Sequence, residues 1–410
     1  MFKAESYLGY KLCWPGDLVI NSLWAWGGGL GVSLYHGIIS SAYGVYRIRD
    51  GLPVKPAFIH ELVRSAPFNW ELKVRSKGIW ISRLQLTDES FLDAPFPLPP
   101  RDEQDAIVRF LTNADQHISA VIRAKRQLIG LLNEQKQTII HPAITRGLVS
   151  NVSLKSSGIP LLGDIPRHWN ALQIRRLVSF VTSGSRGWAE YYSDDGDIFL
   201  QSGNLGRNMA LNLAYVQHVR PPNGSEGQRT KVQQNDVLIC ITGAMTGNVA
   251  IIDNELNAPT YVNQHVGLVR PRADRIWPRF LAYALHSRVG KSQFKTSEYG
   301  GTKQGLGLND VKSIFVPVPP RDEQQAICSE LDRRLAKVQT AIARAEREIE
   351  LIREYRTRLV ADVVTGQLDV RAAAANLPTE IQVPEAAMVT EPEEDEAMDK
   401  DVTEPSGELA

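Results

Sequence analysis

An eight-residue phrase occurs twice in this chain, and the register between its copies constrains the fold more than any other feature. Pro97-Leu98-Pro99-Pro100-Arg101-Asp102-Glu103-Gln104 returns as Pro317-Val318-Pro319-Pro320-Arg321-Asp322-Glu323-Gln324, 220 residues later and identical at seven of eight positions. The same offset carries Ala106-Ile107 onto Ala326-Ile327, Leu111 onto Leu331 and Thr145 onto Thr365. A register kept this long without a gap marks an internal duplication, and therefore two related halves.

Each copy reads as the start of a long helix. The prolines halt a preceding strand, and the acids that follow sit in a first helical turn, where the dipole favours them. In the first copy Ala114, Ile118, Val121, Leu128, Leu132 and Ile139 fall on a 4-3 spacing. Val338, Ile342, Ala345, Ile349, Ile352 and Leu359 do the same in the second. Such seams predict two coiled-coil-like helices with charged outer faces, each about 40 Å long over its apolar stretch.

Between them lies a region of different texture. Ile198-Phe199-Leu200, Asp236-Val237-Leu238-Ile239 and His265-Val266-Gly267-Leu268-Val269 are short β-rich runs separated by loops of Gly, Ser, Asn and Thr. Phe280 to Arg288 adds an amphipathic helix, which makes the region α+β.

The N-terminal region matches part of it. Pro15-Gly16-Asp17-Leu18-Val19-Ile20 aligns with Gln234-Asn235-Asp236-Val237-Leu238-Ile239, Tyr43–Arg47 with His265–Val269, and Phe58 with Phe280. The uncharged stretch from Leu18 to Tyr35 is thus expected to be a strand, a glycine loop and a strand, not a membrane helix. About seventy residues of the second domain precede Asp236, against sixteen before Asp17, so the first domain is expected to lack its first half.

The formal charge of zero hides an asymmetry. Glu385–Ala410 hold ten acids and one lysine, leaving a net +9 on residues 1–384. A basic body fits a polyanionic partner, and the acidic, apolar-poor end reads as a disordered tail. Cys13, Cys240 and Cys328 are scattered, without metal-ligand or disulfide spacing, and are expected to be buried thiols in a reducing compartment.

Signatures of catalysis are missing. Gly27-Gly28-Gly29-Leu30-Gly31 is not followed by Gly-Lys-Ser/Thr, and GxGxxG, GxSxG and HExxH do not occur. His168 beside Trp169, and His265 within a strand, read as structural. Ser183-Gly184-Ser185-Arg186-Gly187, Gln201-Ser202-Gly203-Asn204 and Gly300-Gly301-Thr302-Lys303-Gln304 instead supply the residue types that contact phosphates and base edges.

These residues together resemble the specificity subunits of type I restriction–modification systems. The resemblance rests on the duplicated Pro-x-Pro-Pro, acid-Glu-Gln and apolar helix, on Gly163-Asp164-Ile165-Pro166 with His168-Trp169, and on Gly301-Thr302-Lys303-Gln304-Gly305. It covers about residues 1–370. It implies an α+β chain of two β-rich target-recognition domains alternating with two long antiparallel helical spacers. The domains are expected at 1–98 (partial) and 149–316, the spacers at 99–148 and 317–370, and the tail at 371–410.

The resemblance further implies a non-catalytic, cytoplasmic chain that binds no cofactor, metal or membrane. Each domain would read half of a split double-stranded DNA site, with the helices as a ruler. Two methyltransferase subunits and restriction subunits would be its partners and would carry the chemistry. DNA contacts are expected from Arg186, Ser202, Asn204, Thr302, Lys303 and Gln304. Partner contacts are expected from Glu103, Gln104, Ile107, Glu323, Gln324 and Ile327. The alternative is an assembly scaffold that binds methyltransferase subunits but has lost specific recognition.

Overall fold

A computed structural model describes residues 7–78, 84–184, 186–206, 208–222, 224–297 and 305–378. They fall into two units, residues up to 128 with 344–378, and residues 129–343. Thr302, Lys303, Gln304 and the acidic end from residue 379 lie outside the described residues.

The first unit opens with β1 (Lys11–Cys13), β2 (Leu18–Asn21), β3 (Leu30–Val32), β4 (Gly37–Ile39) and β5 (Tyr43–Tyr46). α1 (Pro56–Val63), α2 (Ala66–Arg75) and α3 (Asp88–Leu92) follow, and then α4 (Arg101–Arg146). β2 is the centre of an antiparallel sheet of order β3-β2-β5, and β1 pairs with β4. The uncharged N-terminal stretch is therefore strand, glycine turn and strand, with Gly28 at φ 82° supplying the left-handed residue. Among the described residues no helix is long and apolar enough to cross a membrane.

The second unit contains β6 (Leu154–Ser156), β7 (Asp164–Pro166), β8 (Asn170–Gln173), β9 (Val178–Ser183), β10 (Tyr192–Ser193), β11 (Asp197–Leu200) and β12 (Gln217–Val219). Next come α5 (Ser225–Thr230), β13 (Val237–Cys240), β14 (Val249–Ile251), β15 (Thr260–Val262) and β16 (Val266–Pro271). α6 (Pro278–His286), α7 (Arg288–Ser297), α8 (Leu308–Ser313) and β17 (Phe315–Val318) lead into α9 (Arg321–Val364), and α10 (Arg371–Ala375) follows in the first unit.

The order β14-β13-β16-β9 makes the main sheet, and β10-β12-β11-β15 a second. Val237 and Ile239 pack with α6 residues such as Phe280 and Tyr283, while Leu238 and Cys240 face Leu200 and Val262 of the second sheet. Burial on both faces explains why β13 is uniformly apolar.

The duplication is visible in side-chain geometry. Asp17 accepts from Trp14 N and from Arg47, and Asp236 accepts in the same way from Gln233 N and Arg270. Gln104 joins Lys55 N, ahead of α1, to Pro99 O; Gln324 joins Trp277 N, ahead of α6, to Pro319 O. Phe58 and Phe280 are both fully buried. The strand alignment moves by one residue, however. Gly44 opposite Ile20 matches Gly267 opposite Ile239, so Tyr43–Arg47 correspond to Val266–Arg270, which puts the two arginines in register.

The units differ in completeness. β9 covers the outer edge of β16, and β11 pairs with β15. Among the described residues nothing pairs with the corresponding edges of β5 and β4. In β2 only Leu18 and Ile20 are buried; Val19, the counterpart of Leu238, is not.

The long helices form no separate module, because each divides its residues between the units. Within the first unit they run antiparallel: Asp115 pairs with Arg356, and Lys125 with Glu348. The seam expected on α9 is buried at Val338, Ile342, Ala345, Ile349 and Leu359. The seam on α4 is not, with Val121 44% and Leu128 45% exposed. Residues 371–375, read as the start of a disordered tail, are helical instead, since Val370 and Ala374 bury their side chains.

Candidate nucleic-acid interface

Antiparallel pairing brings three loops to one end of the main sheet of the second unit. Cys240 lies opposite Val266 and Ser183 opposite Gly267, so β9 and β13 end where β16 begins. Gly184 N donates to Asn263 O at 3.1 Å, and Ile241 N to His265 O at 2.9 Å. A Cβ on Gly184 would stand 1.9 Å from Val262 O, so only glycine lets the loop that carries Arg186 leave the sheet this closely. β11 reaches the same end, where Asn263 N donates to Leu200 O at 2.9 Å.

Arg186 is exposed in the loop after β9. Thr242 follows β13, and Gln264 and His265 occupy the turn before β16; all three are half-buried. The Thr242 hydroxyl hydrogen-bonds His265 Nδ1, and Gln264 Nε2 lies 3.1 Å from His265 Nε2. Gly305, the residue after Gln304, forms an antiparallel bridge with Thr242, and Leu306 N donates to Ile241 O at 2.8 Å.

Ser202 and Asn204 both make hydrogen bonds within the protein, and only Asn204 is buried. Ser202 hydrogen-bonds the Cys240 thiol, whose burial pushes it up to about 11. Asn204 is buried, and its amide is committed to Gln201 N, Asn212 O and Tyr215 O at 2.8–2.9 Å. It organises the loop and presents nothing outward. Sequence reasoning missed Thr242 and Gln264 and took His265 for a strand residue. Its place in the turn after Asn263, beside Gln264, was the available signal.

The expected partner residues are also mostly internal. Gln104, Ile107, Gln324 and Ile327 are buried, because they anchor each helix to its own unit. Glu323 accepts from Trp169 Nε1 at 2.9 Å and pairs with His168 at 2.7 Å, and Glu103 lies 3.9 Å from Arg371. Within the first unit the two long helices expose the large apolar side chains Val121, Leu128, Leu351 and Tyr355.

The sheet end therefore combines a cation suited to phosphate with amide, hydroxyl and imidazole groups suited to base edges. Residues 222–351 match a family described as the type I restriction modification DNA specificity domain. The MjaVIII specificity subunit of Methanocaldococcus jannaschii is 22% identical over 302 residues, 73% of this chain and 68% of that one. The EcoBI specificity subunit of Escherichia coli is 21% identical over 299 residues, 71% and 62% respectively. This chain thus spans about two thirds of the relatives it matches. In fold it is similar to a chain from work on complex assembly and conformational transition of the type I R-M system, with a TM-score of 0.59 at 18% identity, covering 89% of this chain and 85% of the other. The turn that carries Gln264 and His265, and Thr242 beside it, lie within the matched residues 222–351, and over about 70% of its length the chain is similar to specificity subunits of type I restriction–modification systems.

Proposed function

We propose that this chain recognises DNA sequence for a type I restriction–modification complex and leaves methyl transfer and cleavage to partner subunits. The observation that carries this reading is the gathering of Arg186, Thr242, Gln264 and His265 at one sheet end of the second unit, where Gly305 bridges Thr242. Arg186 and Lys303 would hold phosphates, which fix register, while the neutral side chains would face bases. The long helices would bind methyltransferase subunits through exposed apolar side chains such as Val121 and Leu128 and set the gap in a two-part site, with restriction subunits joining that core.

One observation favours a second reading. The first unit has no strand corresponding to β9 or β11 among its described residues, which suits a scaffold that binds methyltransferase subunits without reading its own half-site. Co-expression with a methyltransferase subunit, followed by mapping of methylated bases, separates the two. A split motif with a fixed gap is the expected outcome; stable association without sequence-specific methylation would leave only the scaffold.

A further inference from the structure

Gln264 is held in one orientation by a short chain of hydrogen bonds. Its Nε2 is a donor only, so at 3.1 Å from His265 Nε2 it must donate, and the imidazole nitrogen accepts. The ring proton then sits on Nδ1 and is donated to Thr242 Oγ1. The imidazole is fixed in turn by its backbone, since His265 N donates to Asn263 Oδ1 at 3.0 Å and His265 O accepts from Ile241 N at 2.9 Å. Among the described residues this leaves Gln264 with Oε1 and one N–H unused, on a half-buried side chain at the sheet end.

That pair has one good match among the four bases. In the major groove adenine offers the N6 amino group as donor and N7 as acceptor, which an amide meets with both its atoms. Guanine offers acceptors at O6 and N7, so Oε1 would face another lone pair. Cytosine offers only the N4 donor, and thymine an acceptor and a methyl group. We propose that Gln264 is the adenine-reading side chain of the second domain, with His265 and Thr242 as positioning residues that hold its amide ready. The inference rests on the DNA-reading function and adds to it the base and the side chain that selects it. Because the amide is oriented before DNA arrives, little rotamer freedom is lost on contact, which sharpens discrimination.

The test is enrichment of sequences from a randomised duplex library by the full chain and its variants. The unaltered chain should return a motif with a fixed adenine. Gln264→Leu should relax that one position, by on the order of 10- to 100-fold in preference, and leave the others as they were. Gln264→Glu should move the preference toward cytosine, whose N4 amino group a carboxylate accepts. Thr242→Val should relax the same position, while Thr242→Ser, which keeps the hydroxyl, should restore it. An unchanged adenine preference in Gln264→Leu, with the parent still selective, overturns the assignment. So does an equal loss at every position, which would mark Gln264 as merely structural. A parent chain that enriches nothing overturns the DNA-reading function itself, and the assignment with it.

Discussion

Arg270 closes on Asp236 with two parallel hydrogen bonds, Nε to Oδ1 at 2.8 Å and Nη2 to Oδ2 at 2.7 Å, where the carboxylate is 1% exposed. Burial drives the Asp236 carboxyl up from its ordinary 3.8, and the guanidinium offsets part of that rise. Arg270→Met removes the offset and leaves a buried carboxylate with one backbone donor. A loss of about 3–5 kcal/mol is expected for such a broken pair. With the folded-state carboxyl further raised, the stability lost relative to the parent should be largest at neutral pH and should shrink as pH falls toward the ordinary value. Denaturant unfolding of the two proteins at neutral and acidic pH measures this difference. Equal gaps at both would mean that Asp236 is not the cause.

The corresponding pair in the first unit should matter less. Hydrogen bonds from Arg47 hold Asp17 below its ordinary value, but the Arg47 side chain is 63% exposed. Arg47→Met should lower the unfolding temperature by less than Arg270→Met in the same thermal scan, since water can reach part of what the guanidinium leaves behind.

Acid should loosen the first unit through His60. Burial, aided by Arg64, pushes its imidazole down to about 4, and Nδ1 accepts the Val32 amide at 3.1 Å. A depressed histidine is neutral when folded, while the unfolded chain takes up a proton below its ordinary 6.5. The unfolded state binds more protons in that window, so stability falls as pH drops from 6.5 toward 4, by about 2–3 kcal/mol. His60→Gln should flatten this part of the stability–pH curve. A variant that keeps the parent's slope would assign the acid sensitivity elsewhere.

Gly184 should tolerate no side chain. A methyl group would collide with Val262 O and Asn263, so Gly184→Ala must displace either the Arg186 loop or the strand end beside it. DNA selectivity should be lost, with little change in the unfolding of the first unit. Selectivity equal to that of the parent would separate this sheet end from DNA recognition.

Partner binding should be separable from folding on α4. Val121 and Leu128 are each nearly half exposed, so Val121→Ser with Leu128→Ser should leave the unfolding temperature within a few degrees of the parent. Co-purification with the methyltransferase subunit should weaken by tenfold or more if this stripe is the contact, as truncating central apolar side chains of an interface does. Unimpaired co-purification would place the contact elsewhere.

What the sequence by itself determined is whatever is written in local pattern or in repetition. The phrase ending at Gln104 and Gln324 marks the start of each long helix, and its glutamine fixes that helix to its own unit by bonding Lys55 and Trp277. The Leu18–Tyr35 stretch was legible as paired strands because its copy around Val237 carries the same aspartate before the same apolar run. Arg186 stood out as a cation in a glycine loop, and its side chain is exposed.

Tertiary structure decided the rest, because function at this site depends on which loop ends an antiparallel sheet brings together. Asn204 and Gln264 are alike as residue types, yet one amide is consumed by three backbone groups and the other, among the described residues, keeps a donor and an acceptor unused. Residue type cannot distinguish them, since the partners lie 3 to 11 residues away in one case and the imidazole next door is itself fixed by Thr242, 23 residues away, in the other. The same holds on the helices. A 4-3 spacing appears on both, but packing covers it on α9 and leaves Val121 and Leu128 of α4 open, because periodicity specifies a face and only the neighbours decide whether that face meets protein or water.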